Sequence, residues 1–132
     1  MAIADRHGLP LAVGVTSASP HETKLVEDTL RQRHVAALPK RLIGDRGYDS
    51  DPLDERLRRA HGVEMIAPHR KNKRKRTQDG RPLRRYLRRW KIERLFAWLK
   101  NYRRLGSRWE RYAVNFLGMV QLGCVLILLR HL

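Results

Sequence analysis

Two short apolar runs open the chain, MAIA and LPLAVGVT, on either side of DRHG, a polar turn closed by Gly8. Apolar, β-branched runs flanking a turn predict a β-hairpin. The period then changes. In SPHETKLVEDTLRQRH, Leu25, Val26, Thr29 and Leu30 recur at helical spacing and predict one buried stripe. Ser19 and Glu22 have the spacing of a capping box at that helix's start, and Pro20 suits a first turn. Arg41 to Gly44 predicts a short strand running into the polar turn DRGYDS. DPLDERLRRAHG predicts a second helix, capped by Ser50 or Asp51 and closed by Gly62, and VEMIAPH another short strand. RKNKRKRTQDG has no apolar periodicity and predicts a basic loop over about 70–81, mobile without a partner. Past Gly80, RPLRRYLRRWKIERLFAWLKNYRRL predicts one long helix, with Pro82 in its first turn and Gly106 at its end. A last helix, about Tyr112 to Arg130, is apolar nearly all round and is expected to be buried. The order ββαβαβαα is that of an α/β layer domain.

A chain of 132 residues is one domain or a piece of one. Its longest apolar run, Val114 to Leu129, is interrupted by Asn115, Gln121 and two glycines, which suits a buried helix rather than a bilayer crossing. No signal peptide is visible, so the expected location is cytoplasmic. The single Cys124 lies inside the apolar run and reads as a buried structural thiol, which excludes a disulfide framework or a cysteine-rich zinc site. The six histidines show no ligand spacing and read as structural or surface residues.

Charge changes the picture most. The net charge is +16, and between Arg70 and Arg108 there are 17 basic residues and two acids. One region therefore holds nearly all the imbalance. A concentrated positive field attracts polyanions, of which nucleic acid is the commonest. The basic loop residues Arg70, Lys71, Lys73, Arg74, Lys75 and Arg76 are candidates for phosphate contacts.

Within that region Glu93 is a lone helical carboxylate. On a continuous α-helix Tyr86, Arg89, Glu93 and Lys100 fall within an arc of about 60°, on a stripe about 21 Å long. A second carboxylate, Asp45, stands at the end of the RLIG strand, and strand ends of α/β sheets are where functional groups collect. Such a pair beneath a basic field suits Mg²⁺ or Mn²⁺, which take carboxylate oxygens and keep waters for phosphates. Two simpler uses stay open at this point. Glu93 can pair with Arg89 one helical turn away, and Asp45 can close an Asx-turn within GDRGYDS. Trp90 and Trp98 can stack on a flipped base or pack in the core, and core packing is the expected use.

These residues also carry a resemblance. The spacing Tyr86-x2-Arg89-x3-Glu93-x6-Lys100 resembles the signature of DDE-class bacterial insertion-sequence transposases. DRGYDS is similar to their second catalytic aspartate region, and RWKIERLFAWLKNYRRL to their third acidic region. DRHGLPLAVGVTSASPHET resembles the stretch between the first and second acids. The likeness covers essentially the whole chain. It implies a ribonuclease H-like catalytic core, Mg²⁺ or Mn²⁺, and cut-and-paste transposition of double-stranded DNA at transposon ends. Asp45 and Glu93 are then catalytic metal ligands, and Tyr86, Arg89 and Lys100 DNA-positioning residues.

The resemblance also implies a first catalytic aspartate on a strand upstream of the DRHG turn. Asp5 lies in that turn and is not promoted to the role. The expected molecule is thus a partial DDE catalytic domain over 1–132, truncated at its N-terminus, with a long basic helix and an apolar C-terminal helix. It is expected to be a remnant or the second frame of a frameshifted element, inactive alone, completed by an upstream transposase polypeptide and oligomeric when complete. The alternative is a non-catalytic basic DNA-binding remnant or regulator of transposition.

Overall fold

The computed structural model describes residues 1–74 and 83–132. Strands β1 (Ala2–Ala4) and β2 (Pro10–Val13) form the expected antiparallel hairpin. Its turn is organised by Asp5, whose carboxylate accepts from the amides of His7 and Leu9 at 2.7 and 2.8 Å. Helix α1 (Glu22–Arg31) buries Val26, Thr29 and Leu30. The capping box does not form. The helix begins two residues later than the Ser19–Glu22 spacing predicts, and His21 is the cap, its Nδ1 accepting from the Thr23 amide at 3.3 Å. Glu22 instead hydrogen-bonds the Tyr48 hydroxyl.

Strand β3 (Arg41–Ile43), a 3₁₀ turn (Arg46–Tyr48), helix α2 (Asp51–His61) and strand β4 (Glu64–Ile66) follow, with β3 and β4 paired in parallel. Helix α2 ends at Gly62 in the left-handed conformation, φ 64°, as the sequence predicts. The sheets are two separate pairs among the described residues, β1–β2 and β3–β4. One core nonetheless joins them: Val26, Leu30, Leu42, Leu53, Leu57, Val63 and Met65 pack together, with Met1 and Ile3 of the hairpin against them. This is mixed α/β architecture, with α1 and α2 covering one face.

The long helix is broken in two places. Arg84–Arg88 wind as a 3₁₀ turn, helix α3 spans Trp90–Lys100, and a short helix α4 spans Arg103–Gly106. At the front, Leu87 is 79% exposed, so no packing rewards α periodicity there. At the back, Tyr102 is extended, φ −83° and ψ 116°. That bend seats Tyr102 and Leu105 with Leu99 against the bare face of Gly123 on the last helix. Gly80 and Pro82 lie outside the described residues.

Helix α5 (Ala113–Leu129) has the expected extent but is not buried all round. One stripe, including Gly123, Cys124 and Ile127, packs with Val13, Leu95 and Leu99 in the second core. Its far side is open: Val114, Leu122 and Leu129 are 72%, 51% and 58% exposed. A cylinder packed on one side buries one stripe, whatever its composition. No described helix is long and apolar enough to cross a membrane. Cys124 is fully buried, and burial pushes its thiol up to about 11, as suits a structural thiol.

Candidate functional site

Asp45 stands immediately beyond β3, reached through Gly44. A Cβ on Gly44 would collide with Met65 and the Tyr48 ring, so the glycine lets Tyr48 fold back beneath the strand end. Asp45 caps the 3₁₀ turn, its Oδ1 accepting from the Gly47 amide at 2.7 Å. This is the Asx-turn geometry, and it leaves the second carboxylate oxygen outside that bond. Glu22 comes to the same side of Gly47 as Asp45 and hydrogen-bonds Tyr48. Burial, then the charges of Glu22 and Asp45, push the Tyr48 phenol far above its ordinary range, so it remains a neutral donor.

Glu93 lies in the first turn of α3 and is exposed. Arg89 Nη2 donates to its Oε1 at 3.4 Å, and the Arg89 guanidinium lies 5.4 Å from the centre of the Tyr86 ring. Side chains three apart eclipse in a 3₁₀ turn, which puts Arg89 over Tyr86. Tyr86, Arg89 and Glu93 thus form one contiguous ladder. Lys100, at the end of α3, is exposed two turns further on. The helix is fixed over the hairpin turn by Lys91, which donates to the Arg6 carbonyl, and Arg94, which donates to the His7 carbonyl.

Both acids therefore have the simpler partners that local spacing allows. Asp45 and Glu93 supply hard oxygen donors of the type Mg²⁺ or Mn²⁺ takes. Among the described residues no three His, Cys, Asp or Glu side chains are gathered closely enough to hold an ion.

The root of the basic loop is tied down, while 75–81 of the expected segment lie outside the described residues. Lys73 Nζ lies 2.8 Å from Asp49 Oδ1 and 2.6 Å from Asp51 Oδ1. Arg70 donates through its side chain to the carbonyls of Arg46 and Gly47, at 3.3 and 3.1 Å. Lys71 and Arg74 are exposed. Lys75 and Arg76 lie outside the described residues. Of the tryptophans, Trp98 packs in the second core beside His131, as expected. Trp90 is half exposed, with Arg94 and Lys91 over its ring. The cluster of Asp49, His69 and Lys73 was not legible in the sequence, since Asp49 is 20 or more residues from the other two.

Comparison with known proteins bears on the chain as a whole. A family model described as "Transposase DDE domain" matches residues 1–128. The chain is 37% identical over 133 residues to a putative transposase for insertion sequence element IS402 from Burkholderia cepacia, covering 95% of this chain and 59% of that protein. It is 32% identical over 133 residues to a putative transposase for insertion sequence element IS6501 from Brucella ovis, covering 98% of this chain and 95% of that one. No solved structure matches the chain.

Proposed function

Since this chain belongs to the transposase DDE domain family of insertion-sequence proteins, we propose that it is the part of a DNA transposase that carries two of the metal-binding carboxylates and the surrounding phosphate-binding surface. The observation that carries the reading is the placement of Asp45 at a strand end and of Glu93 in a Tyr86–Arg89–Glu93 ladder, within the region holding the positive charge. Lys100 and the exposed Lys71 and Arg74 then take phosphates, with Lys75 and Arg76 of the same segment, and Tyr86 and Arg89 orient the backbone beside the acids.

Mg²⁺ or Mn²⁺, when bound by Asp45 and Glu93, would supply the activation of a water or 3′-hydroxyl that phosphodiester cleavage and strand transfer require. Glu22 and the neutral Tyr48 hold the Asp45 turn in shape from beneath. The architecture supports a ribonuclease H-like core over 1–132. An antiparallel pair and a parallel pair share one core with α1 and α2, and in this reading an added strand joins them into a single sheet. An upstream transposase polypeptide is the proposed source of that strand and of a further acid. The second reading, a non-catalytic DNA-binding regulator, is favoured by the present pairing of Glu93 with Arg89.

Two measurements test this. Duplex affinity should fall by roughly 10³–10⁵ between 50 and 200 mM salt if six to ten phosphates are neutralised. A flat response would sink the DNA reading. Nicking of supercoiled plasmid in Mg²⁺ or Mn²⁺ should be near background for this chain alone. It should rise when an upstream transposase half is added, and fall again with Asp45→Ala or Glu93→Gln. Addition without any rise, with DNA binding intact, would favour the regulator.

A further inference from the structure

The carboxylate of Asp49 is 4% exposed and collects three donors from the following basic segment. Its Oδ1 meets Lys73 Nζ at 2.8 Å and His69 Nδ1 at 3.1 Å, and its Oδ2 accepts from the Arg70 backbone amide at 2.7 Å. Lys73 is also held by Asp51, and its side chain is only 16% exposed. The Arg70 guanidinium reaches the carbonyls of Arg46 and Gly47, inside the turn that Asp45 caps. Residues 69–73 are thus stitched to residues 46–51 through both backbone and side chains.

A solvated basic loop has no need of this. Its charges would face water, and its backbone would bond to water. Here two carboxylates neutralise one lysine in the region with the largest positive excess. A buried carboxylate with three donors is costly to break, because removing any partner leaves a buried group unsatisfied. We propose that Asp49 is a positioning residue that latches the root of the basic segment beside the Asp45 turn, with Lys73 as its tether, so that Lys71 and Arg74 meet DNA phosphates next to the acid. The segment is therefore divided by role. Lys73 is sequestered, and its neighbours on either side carry the phosphate contacts.

This rests on the DNA-binding reading, and the tests separate the two. Amide exchange needs no DNA. The Arg70 amide should be protected in the wild-type chain and lose that protection in both Asp49→Asn and Lys73→Met. Fast exchange of Arg70 in the wild type would overturn the latch, whatever the chain does with DNA. With duplex DNA, Lys71→Met or Arg74→Met should each lower the slope of log affinity against log salt by about 0.9, as loss of one phosphate contact does. Lys73→Met should leave the slope unchanged. An equal drop for Lys73→Met would make it a phosphate ligand and refute the tether.

Asp49→Asn gives the sharper readout. Removing a negative charge beside bound DNA should, by charge alone, tighten binding. If Asp49 positions the segment, binding should instead weaken by about three- to tenfold, since the freed side chains must be ordered at the moment of binding. Unchanged or tighter binding, measured well below the melting transition, would overturn the proposal. Failure of the wild type to bind at low salt would remove the DNA reading and leave the exchange result standing.

Discussion

Asp45, Asp49 and Glu93 are carboxylates of one strongly basic chain, and each is held differently. Asp45 caps a turn at a strand end, Glu93 stands exposed against Arg89, and Asp49 is buried under three donors. Burial alone would raise the Asp49 carboxyl, but the hydrogen bonds from Lys73, Arg70 and His69 outweigh it and hold the group below its ordinary value of 3.8. The Lys73 ammonium, despite its burial, is raised above 10.5 by Asp49 and Asp51. A carboxyl lowered in the folded state takes up its proton more readily in the unfolded chain, so its contribution is present above 3.8 and lost as pH falls through the lower folded value. The raised lysine keeps its contribution below 10.5 and loses it as pH climbs through the higher folded value. The melting temperatures of wild type and Asp49→Asn should therefore differ at neutral pH and converge as pH drops below 3.8. A gap that persists in acid would mean that charge is not what Asp49 contributes. Gly44→Ala should destabilise by about 1–3 kcal/mol, read from the denaturant midpoint, because Met65 and the Tyr48 ring occupy the space a Cβ needs. The local bonds of Asp45 and Glu93, to the Gly47 amide and to Arg89, were legible in the sequence because each belongs to a local spacing. Asp49, His69 and Lys73 were not. A lysine inside RKNKRKR carries no mark that separates a tether from a phosphate ligand until the fold brings Asp49 to it.

At the level of elements, periodicity carried far where one face meets a core. The stripe of α1, the Gly62 stop of α2 and the extent of α5 all follow from spacing and end residues. The misses share a cause. The Ser19–Glu22 spacing is correct for a cap, but Glu22 is drawn to Tyr48 from a distant part of the chain. The basic helix is interrupted because Leu87 finds no packing at one end, while Tyr102 and Leu105 find better packing around Gly123 at the other. Tertiary contacts overrode a local pattern in both cases. The second core then depends on α3 and α5 meeting over the hairpin. Leu95 is fully buried there, and Leu95→Ala should cost about 2–5 kcal/mol in urea unfolding. Leu87→Ala, at 79% exposure, should lie within about 0.5 kcal/mol of wild type. Equal effects for the two would mean that α3 is not anchored through its Leu95 face.

For the whole molecule, the sheets and the last helix pose the same question: what covers their open sides. The β1–β2 and β3–β4 pairs are separate, yet Met1 and Ile3 of the first pack on the core that holds Leu42 and Met65 of the second. The outer side of β2 is met by Arg33 and His34, through the Ala12–Arg33 bridge and a bond from the His34 amide to the Leu11 carbonyl. Among the described residues β1 and β3 each pair on one side only, and Ile43 of β3 is 40% exposed. An unpaired strand edge is a template for another strand. The open face of α5 displays Leu122, Val125 and Leu129 without a single charge along the helix. The chain in isolation should therefore self-associate, despite a net charge that opposes it. Sedimentation at increasing concentration should show species larger than the monomer. Leu122→Lys with Leu129→Lys should reduce them in part, because it leaves the strand edges as they are. Co-expression with the upstream half of a related transposase should suppress association more fully and raise metal-dependent nicking at once, since one added strand would close both edges and bring a further acid. Solubility gained without nicking would mean that the partner covers the α5 face but does not enter between the strands. A chain that is monomeric at all concentrations and melts cooperatively without any partner would overturn the open-edge argument and show that β1 and β3 are closed by contacts within the molecule.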